Sequence, residues 1–267
     1  MIQISDCHMH TKFSSDSEAS IESMIERAIG LGMNAICLTD HHDMDYETEE
    51  FRLDTASYYE QVKKMQERYG DRIQLRFGVE LGLQPHLKER LEAYTNAWPF
   101  DFIIGSTHVV KGKDPYYSRN LLAWPDKRQL YRAYFCEIIE NIRSFHQFQA
   151  LGHLDYVVRY GKKTPEDYSY QQFSDEIDTI LHLLIGYGIA LEINTGGYRA
   201  GLGFPNPHPD VIRRYRELGG EMITFGADAH EPEHIGYEFE KAREIAVSLG
   251  FQYYVRFIGR KPEFVKI

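Results

Sequence analysis

His8 and His10, in the run Asp6-Cys7-His8-Met9-His10, have the side-chain type and spacing to hold a metal ion. If the chain from Gln3 to His10 is extended, its side chains alternate, so Asp6, His8 and His10 share one face while Cys7 and Met9 take the other. Two neutral imidazoles projecting side by side reach one ion without bending the backbone. Residues of ligand type then recur along the chain: His41 in Thr39-Asp40-His41-His42, Glu80 after Gly78, His108 in Gly105-Ser106-Thr107-His108, His153 in Gly152-His153-Leu154-Asp155, and Asp228 and His230 in Gly226-Ala227-Asp228-Ala229-His230. A single histidine is more often an ordinary core or surface imidazole. Here each group follows an apolar run, and such regular placement is a poor accident. Zinc takes about four ligands, so this many donors implies more than one ion. Two or three divalent ions a few ångströms apart suit phosphoester hydrolysis, and a carboxylate such as Glu80 can bridge two of them through its two oxygens.

The elements that must position these groups alternate. Ser20 caps a helix whose Ile21, Met24, Ile25, Ala28 and Ile29 recur at helical spacing up to Gly30 and Gly32. Apolar strands are expected at Ala35 to Leu38, Ile73 to Val79, Phe100 to Gly105, Ala150 to Leu154, Ile189 to Ile193 and Met222 to Phe225, with helices between them, and a last helix and strand run from Tyr237 to Leu249 and from Gln252 to Phe257. Two polar excursions, Val109 to Pro125 and the stretch through Arg159, Lys162, Lys163 and Pro165, are candidate loops over a site. Repeated strand-helix units with right-handed crossovers predict a parallel sheet, closed into a barrel if the ligand-type residues are to converge at the C-terminal strand ends.

The 267 residues read as a single domain spanning positions 1–267. A formal charge of -10 argues against a large basic surface for nucleic acid or an anionic membrane, so the expected partner is a small molecule. Cys7, Cys37 and Cys136 show no pairing pattern, and neither a leader nor a membrane-length apolar run is visible, so the expected location is the cytoplasm.

Taken together, Asp6-x-His8-x-His10, Thr39-Asp40-His41, Gly78-x-Glu80, Gly105-Ser106-x-His108, Gly152-His153-Leu154-Asp155 and Gly226-x-Asp228-Ala229-His230 resemble the PHP (polymerase and histidinol phosphatase) family from end to end. The resemblance implies an α/β fold, a distorted (β/α)7 TIM-like barrel, with a trinuclear metal centre of two to three divalent ions (zinc, manganese or iron). Carried over residue by residue, His8, His10, Glu80 and Asp228 hold a first ion, Glu80 bridges to a second held by His108 and His153, and His41 and His230 hold a third. The remaining ligand matches Asp16, where some relatives have histidine; an oxygen there shifts preference toward manganese or iron. Asp6 and Asp40 are expected to hold ligand imidazoles. The resemblance also gives Arg159 and Arg199 to the substrate phosphate, with surface ion pairs as the alternative. His42 either donates a proton to the departing alkoxide or is structural. Tyr116, Tyr117, Tyr156 and Tyr198 are possible mouth residues without an assigned role.

The implied activity is hydrolysis of L-histidinol phosphate to L-histidinol and phosphate in histidine biosynthesis, through a metal-bridging hydroxide that Asp228 orients or deprotonates. The alternatives are a family relative acting on another phosphomonoester or a nucleotide, and a metal-binding module without catalysis.

Overall fold

A computed structural model of the chain describes residues 4–47, 49–117, 124, 126–160 and 168–267. Gln3, Pro125, Lys162, Lys163 and Pro165, which entered the expected elements above, lie outside the described residues.

Strands β1 (Ala35–Leu38), β2 (His41–His42), β3 (Gln74–Gly82), β4 (Phe102–Ser106), β5 (Ala150–Leu151), β6 (Ala190–Asn194) and β7 (Ile223–Gly226) form one parallel sheet in the order β1-β3-β4-β5-β6-β7, with β2 continuing β1 alongside β3. The N-terminal segment closes it. Cys37 N donates to Asp6 O at 3.0 Å on one side, and Cys7 N donates to Phe225 O at 3.0 Å on the other, so the segment lies between β1 and β7. With that segment as one stave and β1 and β2 as another, the sheet is the distorted (β/α)7 barrel that was expected.

The staves differ in regularity. Residues 4–10 make isolated bridges, Asp6 with Ile36 and Met9 with Ala229, and no continuous ladder. The strict alternation expected there therefore fails. On β4, Phe102, Ile104 and Ser106 share a face, and the Ser106 hydroxyl donates to Glu80 Oε1 at 2.6 Å, so that face is the barrel interior. Cys7 packs with Phe102 and Ile104 on this inner side, as does its neighbour His8 higher up, because a segment without regular pairing is free to twist between its two partners.

The core has two layers. Outside the sheet, Ile36, Leu38, Phe77, Val79, Ile103, Leu191 and Phe225 pack against the helices in one continuous cluster. Each such side chain, once fully buried, contributes about 1.5–3 kcal/mol. The first helix, Ile21–Gly30, forms as the spacing predicts: the Ser20 side chain accepts from Ser23 N at 3.0 Å, and Ile21, Met24, Ile25 and Ala28 are buried. Inside the barrel, Cys7, Cys37, Phe102, Ile104, Ala150 and Ala190 fill the lower end with Val255 and Phe257. Those last two come from β8 (Tyr253–Ile258), which pairs antiparallel with β9 (Lys261–Lys266). The sequence reading found the first strand of this hairpin and missed the second, where Lys261, Pro262, Lys266 and the exposed Phe264 give no clean alternation. With the floor plugged, only the C-terminal rim remains for polar chemistry.

Candidate metal centre

At the C-terminal strand ends, the residues picked out by type and position converge on Glu80, which is fully buried. Its Oε1 lies 3.0 Å from His153 Nε2 and 3.2 Å from His108 Nε2. Its Oε2 lies 3.0 Å from His41 Nδ1, 3.2 Å from His8 Nε2 and 3.5 Å from His10 Nε2. Asp228 Oδ1 faces the same space, 3.6 Å from His10 Nε2 and 3.8 Å from His8 Nε2. Asp16 Oδ2 stands 3.0 Å from His230 Nε2 and 3.5 Å from His41 Nε2. Donors around a tetrahedral ion with bonds of about 2.1 Å sit about 3.4 Å from one another, and these separations bracket that value.

The fit to cations is clearest in the atoms left over. His8 Nε2, His10 Nε2, His41 Nδ1 and Glu80 Oε2 are buried and find no hydrogen-bond partner among the described residues. Buried polar atoms are nearly always satisfied, and four unpartnered ones facing a common space fit a cation as their partner. Three donor sets, His8-His10-Glu80, Glu80-His108-His153 and His10-His41-His230, each have their ligand atoms within 4.8 Å of one another. Burial alone would neutralise Glu80 and Asp228, but His8, His41 and His108 around Glu80, and Arg159 and His8 around Asp228, hold both carboxyls well below the usual carboxylate range. Conversely, burial opposes a charge on His108, yet Asp43 and Glu80 push its pKa up to about 10. The cluster demands positive charge, which protons on these imidazoles or divalent ions can supply.

Two carboxylates that sequence reading did not single out hold imidazoles of the cluster. Glu192 Oε1 lies 2.6 Å from His8 Nδ1, and Asp43 Oδ2 lies 2.8 Å from His108 Nδ1. This is the role expected of Asp6 and Asp40, and the structure corrects it. Asp6 accepts from the backbone N of Ala227 at 3.0 Å, Gly236 at 3.0 Å and His8 at 3.2 Å, while Asp40 accepts from Thr11 N at 2.7 Å and Ser14 Oγ at 2.8 Å. Both fasten loops. The available signal for Glu192 was a lone charge inside a wholly buried strand.

Above the ligands opens a cavity of about 450 Å³ whose wall includes Arg159, Asp114, Tyr116, Tyr117, Tyr156 and Tyr160. Arg159 donates from Nη1 to Asp228 Oδ2 at 2.7 Å, from Nη2 to Asn194 Oδ1 at 2.8 Å and from Nε to Asn206 Oδ1 at 2.8 Å. Arg199 is placed differently from expectation. Its two Nη atoms donate to the carbonyls of Ala227 and Asp228 at 2.5 and 2.6 Å, so it braces the loop carrying Asp228 and is not part of the cavity wall. Tyr198 is also away from that wall, under the Lys241 ammonium.

His42 turns away as well. In register with β3, His41 sits beside Glu80 and His42 beside Leu81, so the two imidazoles take opposite faces. The His42 ring stacks on Tyr94 at 4.1 Å, and its Nδ1 accepts from Leu53 N at 3.1 Å, a structural arrangement with no route to a leaving group. Burial lowers its pKa from 6.5 to about 4. Because the folded pKa lies below the unfolded one, the neutral ring's contribution is full above pH 6.5 and shrinks as pH falls toward 4, by about 3 kcal/mol in total. Urea unfolding at stepped pH is expected to show the native protein losing stability relative to His42→Gln across that window; parallel curves would refute a buried neutral His42.

A barrel with this polynuclear ligand set at its C-terminal rim defines a metal-dependent phosphoesterase architecture. The PHP domain family model matches residues 6–196, and the chain belongs to that family. It is 29% identical to the histidinol-phosphatase of Lactococcus lactis subsp. lactis over 96% of this chain and 95% of that protein. It is 31% identical to a probable histidinol-phosphatase of Thermotoga maritima over 98% and 99% of the respective chains. The crystal structure of the Lactococcus lactis histidinol phosphate phosphatase complexed with zinc, L-histidinol and phosphate superposes with a TM-score of 0.90 at 28% identity, covering 98% of this chain and 100% of that one.

Proposed function

We propose that this chain is a histidinol-phosphatase, a metal-dependent phosphomonoesterase that hydrolyses L-histidinol phosphate to L-histidinol and phosphate in histidine biosynthesis in the cytoplasm. The observation that carries the reading is Glu80, whose two oxygens are each flanked by imidazoles directly beneath a cavity that Arg159 enters. His8, His10, Glu80 and Asp228, then Glu80, His108 and His153, and then Asp16, His41 and His230 would hold divalent ions, which would supply an activated water near neutral pH and offset charge on phosphoryl oxygens.

The chain's own groups do the rest. Three of the five N–H groups of Arg159 are used by Asp228, Asn194 and Asn206, which fixes the guanidinium plane and leaves the others for phosphate oxygens. Asp228, kept ionised by Arg159, presents Oδ1 to the space shared by His8 and His10, where it orients the attacking water as an acceptor. Across the cavity, Asp43, Glu50, Asp114 and the rings of Tyr46, Phe51 and Tyr116 make an acidic and aromatic wall, suited to a leaving group bearing an amine and an imidazole. A net charge of -10 fits a small substrate better than a polyanion.

Protein loaded with manganese or zinc is expected to cleave L-histidinol phosphate with a kcat/KM at least about 10²-fold above that for nucleoside monophosphates, the scale of one unpaired polar contact or more. Equal rates on both would remove the substrate assignment, and no rate on any phosphoester would leave a metal-binding module.

A further inference from the structure

Glu192 is wholly enclosed at the middle of β6, the single charged side chain in that strand, and it has no part in the chemistry described above. Its two oxygens serve different masters. Oε1 lies 2.6 Å from His8 Nδ1, whereas Oε2 accepts from the backbone N of His153 at 2.7 Å and from Asn194 Nδ2 at 3.0 Å. His8 belongs to the first proposed ion, and His153 to the second. Resting on the metal-centre assignment, though independent of which phosphoester is cleaved, we propose that Glu192 is a positioning residue that couples the two ion sites: one carboxylate sets the tautomer of His8 and the backbone of His153 together.

At His8, a carboxylate facing Nδ1 keeps the proton on that nitrogen, which turns the lone pair of Nε2 toward Glu80 and the orphaned space beside it. At His153 the backbone has φ +21°, an uncommon value for a residue with a side chain. The hydrogen bond to Glu192 Oε2 anchors that amide and so fixes where the ring starts. Asn194 extends the tie: its Oδ1 accepts from Arg159 Nη2 at 2.8 Å, and Arg159 in turn holds Asp228. The fold makes room for this arrangement at Gly226, where a Cβ would collide with Glu192 Oε1 and lie 2.5 Å from His8 Cβ. Glycine is therefore required there by space, in a strand that would otherwise favour a larger residue.

Glu192→Gln distinguishes coupling from simple support, because glutamine has one acceptor and one donor where glutamate has two acceptors. With its oxygen toward His8, the amide NH₂ faces the N–H of His153. With its oxygen toward His153, the NH₂ forces His8 into the other tautomer, with a proton on Nε2. Either orientation removes one of the two contacts, and because His8 and His153 also face the two oxygens of one carboxylate, Glu80, a shift of either ring disturbs both sites.

Zinc binding by equilibrium dialysis, with elemental analysis of ions per chain, is the measurement. Relative to the native protein, Glu192→Gln is expected to weaken two ions together, each by roughly 10–100-fold, with native-like circular dichroism. Asp43→Asn, which removes the carboxylate facing His108 Nδ1 at 2.8 Å, is the comparison and is expected to weaken one. Unchanged zinc binding by Glu192→Gln, or loss of a single ion as in Asp43→Asn, would overturn the coupling. Should Glu192→Gln fail to fold, ¹⁵N NMR of the native zinc-loaded protein decides: a proton on His8 Nδ1, hydrogen-bonded and slow to exchange, is expected, and a proton on Nε2 would overturn the proposal. Because these readouts are metal stoichiometry and tautomer, they stand or fall separately from the choice of substrate.

Discussion

Glu80→Ala is expected to lower kcat/KM for phosphomonoester hydrolysis by at least about 10³-fold, the scale on which losing one preorganised electrostatic group acts, and to abolish rescue by added metal. The carboxylate stands between imidazoles from four separate stretches of chain: His8 and His10, His41, His108 and His153. Alanine leaves those rings facing one another without the one carboxylate that stands among all of them to offset the charge of ions or protons. Elemental analysis should then find at least one ion fewer per chain. Chelation of the native protein should reproduce the loss of activity and be reversed by zinc or manganese, whereas the alanine variant stays inactive at any metal concentration. Glu80→Asp sharpens the test: the shorter side chain keeps the charge but cannot present one oxygen to His8 and the other to His153, so it should retain one ion and little activity. Full metal content with activity within tenfold of native in Glu80→Ala would remove the bridging role.

How much of this was legible beforehand depends on what each residue's position encodes. His8, Glu80, His108, His153 and Asp228 were readable because each lies at or just beyond the C-terminal end of a strand or extended segment, and in a barrel that alone brings it to the common mouth. Position gives reach; it does not give direction. His41 and His42 are adjacent and chemically identical, and only the register against Glu80 and Leu81 separates the ring that faces the carboxylate from the one packed in the core. Arg159 and Arg199 both follow strands, yet one enters the cavity and the other clasps main-chain carbonyls. Glu192 escaped because its partner His8 is 184 residues away, and a strand of apolar neighbours hides a polar interior face. The interrupted pairing of residues 4–10 was equally invisible, since an apolar run does not say whether its neighbours will ladder with it.

Arg159 provides the second large effect, and its signature should differ from that of Glu80. Arg159→Ala is expected to reduce kcat/KM by roughly 10²–10⁴-fold, corresponding to two lost charge-assisted hydrogen bonds to phosphate at about 1.5–3 kcal/mol each. Metal content should remain close to native, because the guanidinium is not a ligand. Arg159→Lys restores charge but not the fork that spans Asp228, Asn194 and Asn206, so it should recover only a small part of the loss. The pair with Asp228 is also buried, each side chain being less than a tenth exposed, and removing one partner of a buried pair costs about 3–5 kcal/mol. A lower melting temperature is therefore expected alongside the kinetic defect, and it cannot by itself separate gripping phosphate from bracing Asp228. Inhibition by inorganic phosphate separates them. If Arg159 holds the phosphoryl group, the inhibition constant should rise with the loss in kcat/KM, in alanine more than in lysine. If its role is confined to Asp228, phosphate should inhibit the variants as well as it does the native protein, and the assignment of Arg159 to the substrate would fall while the metal centre stood.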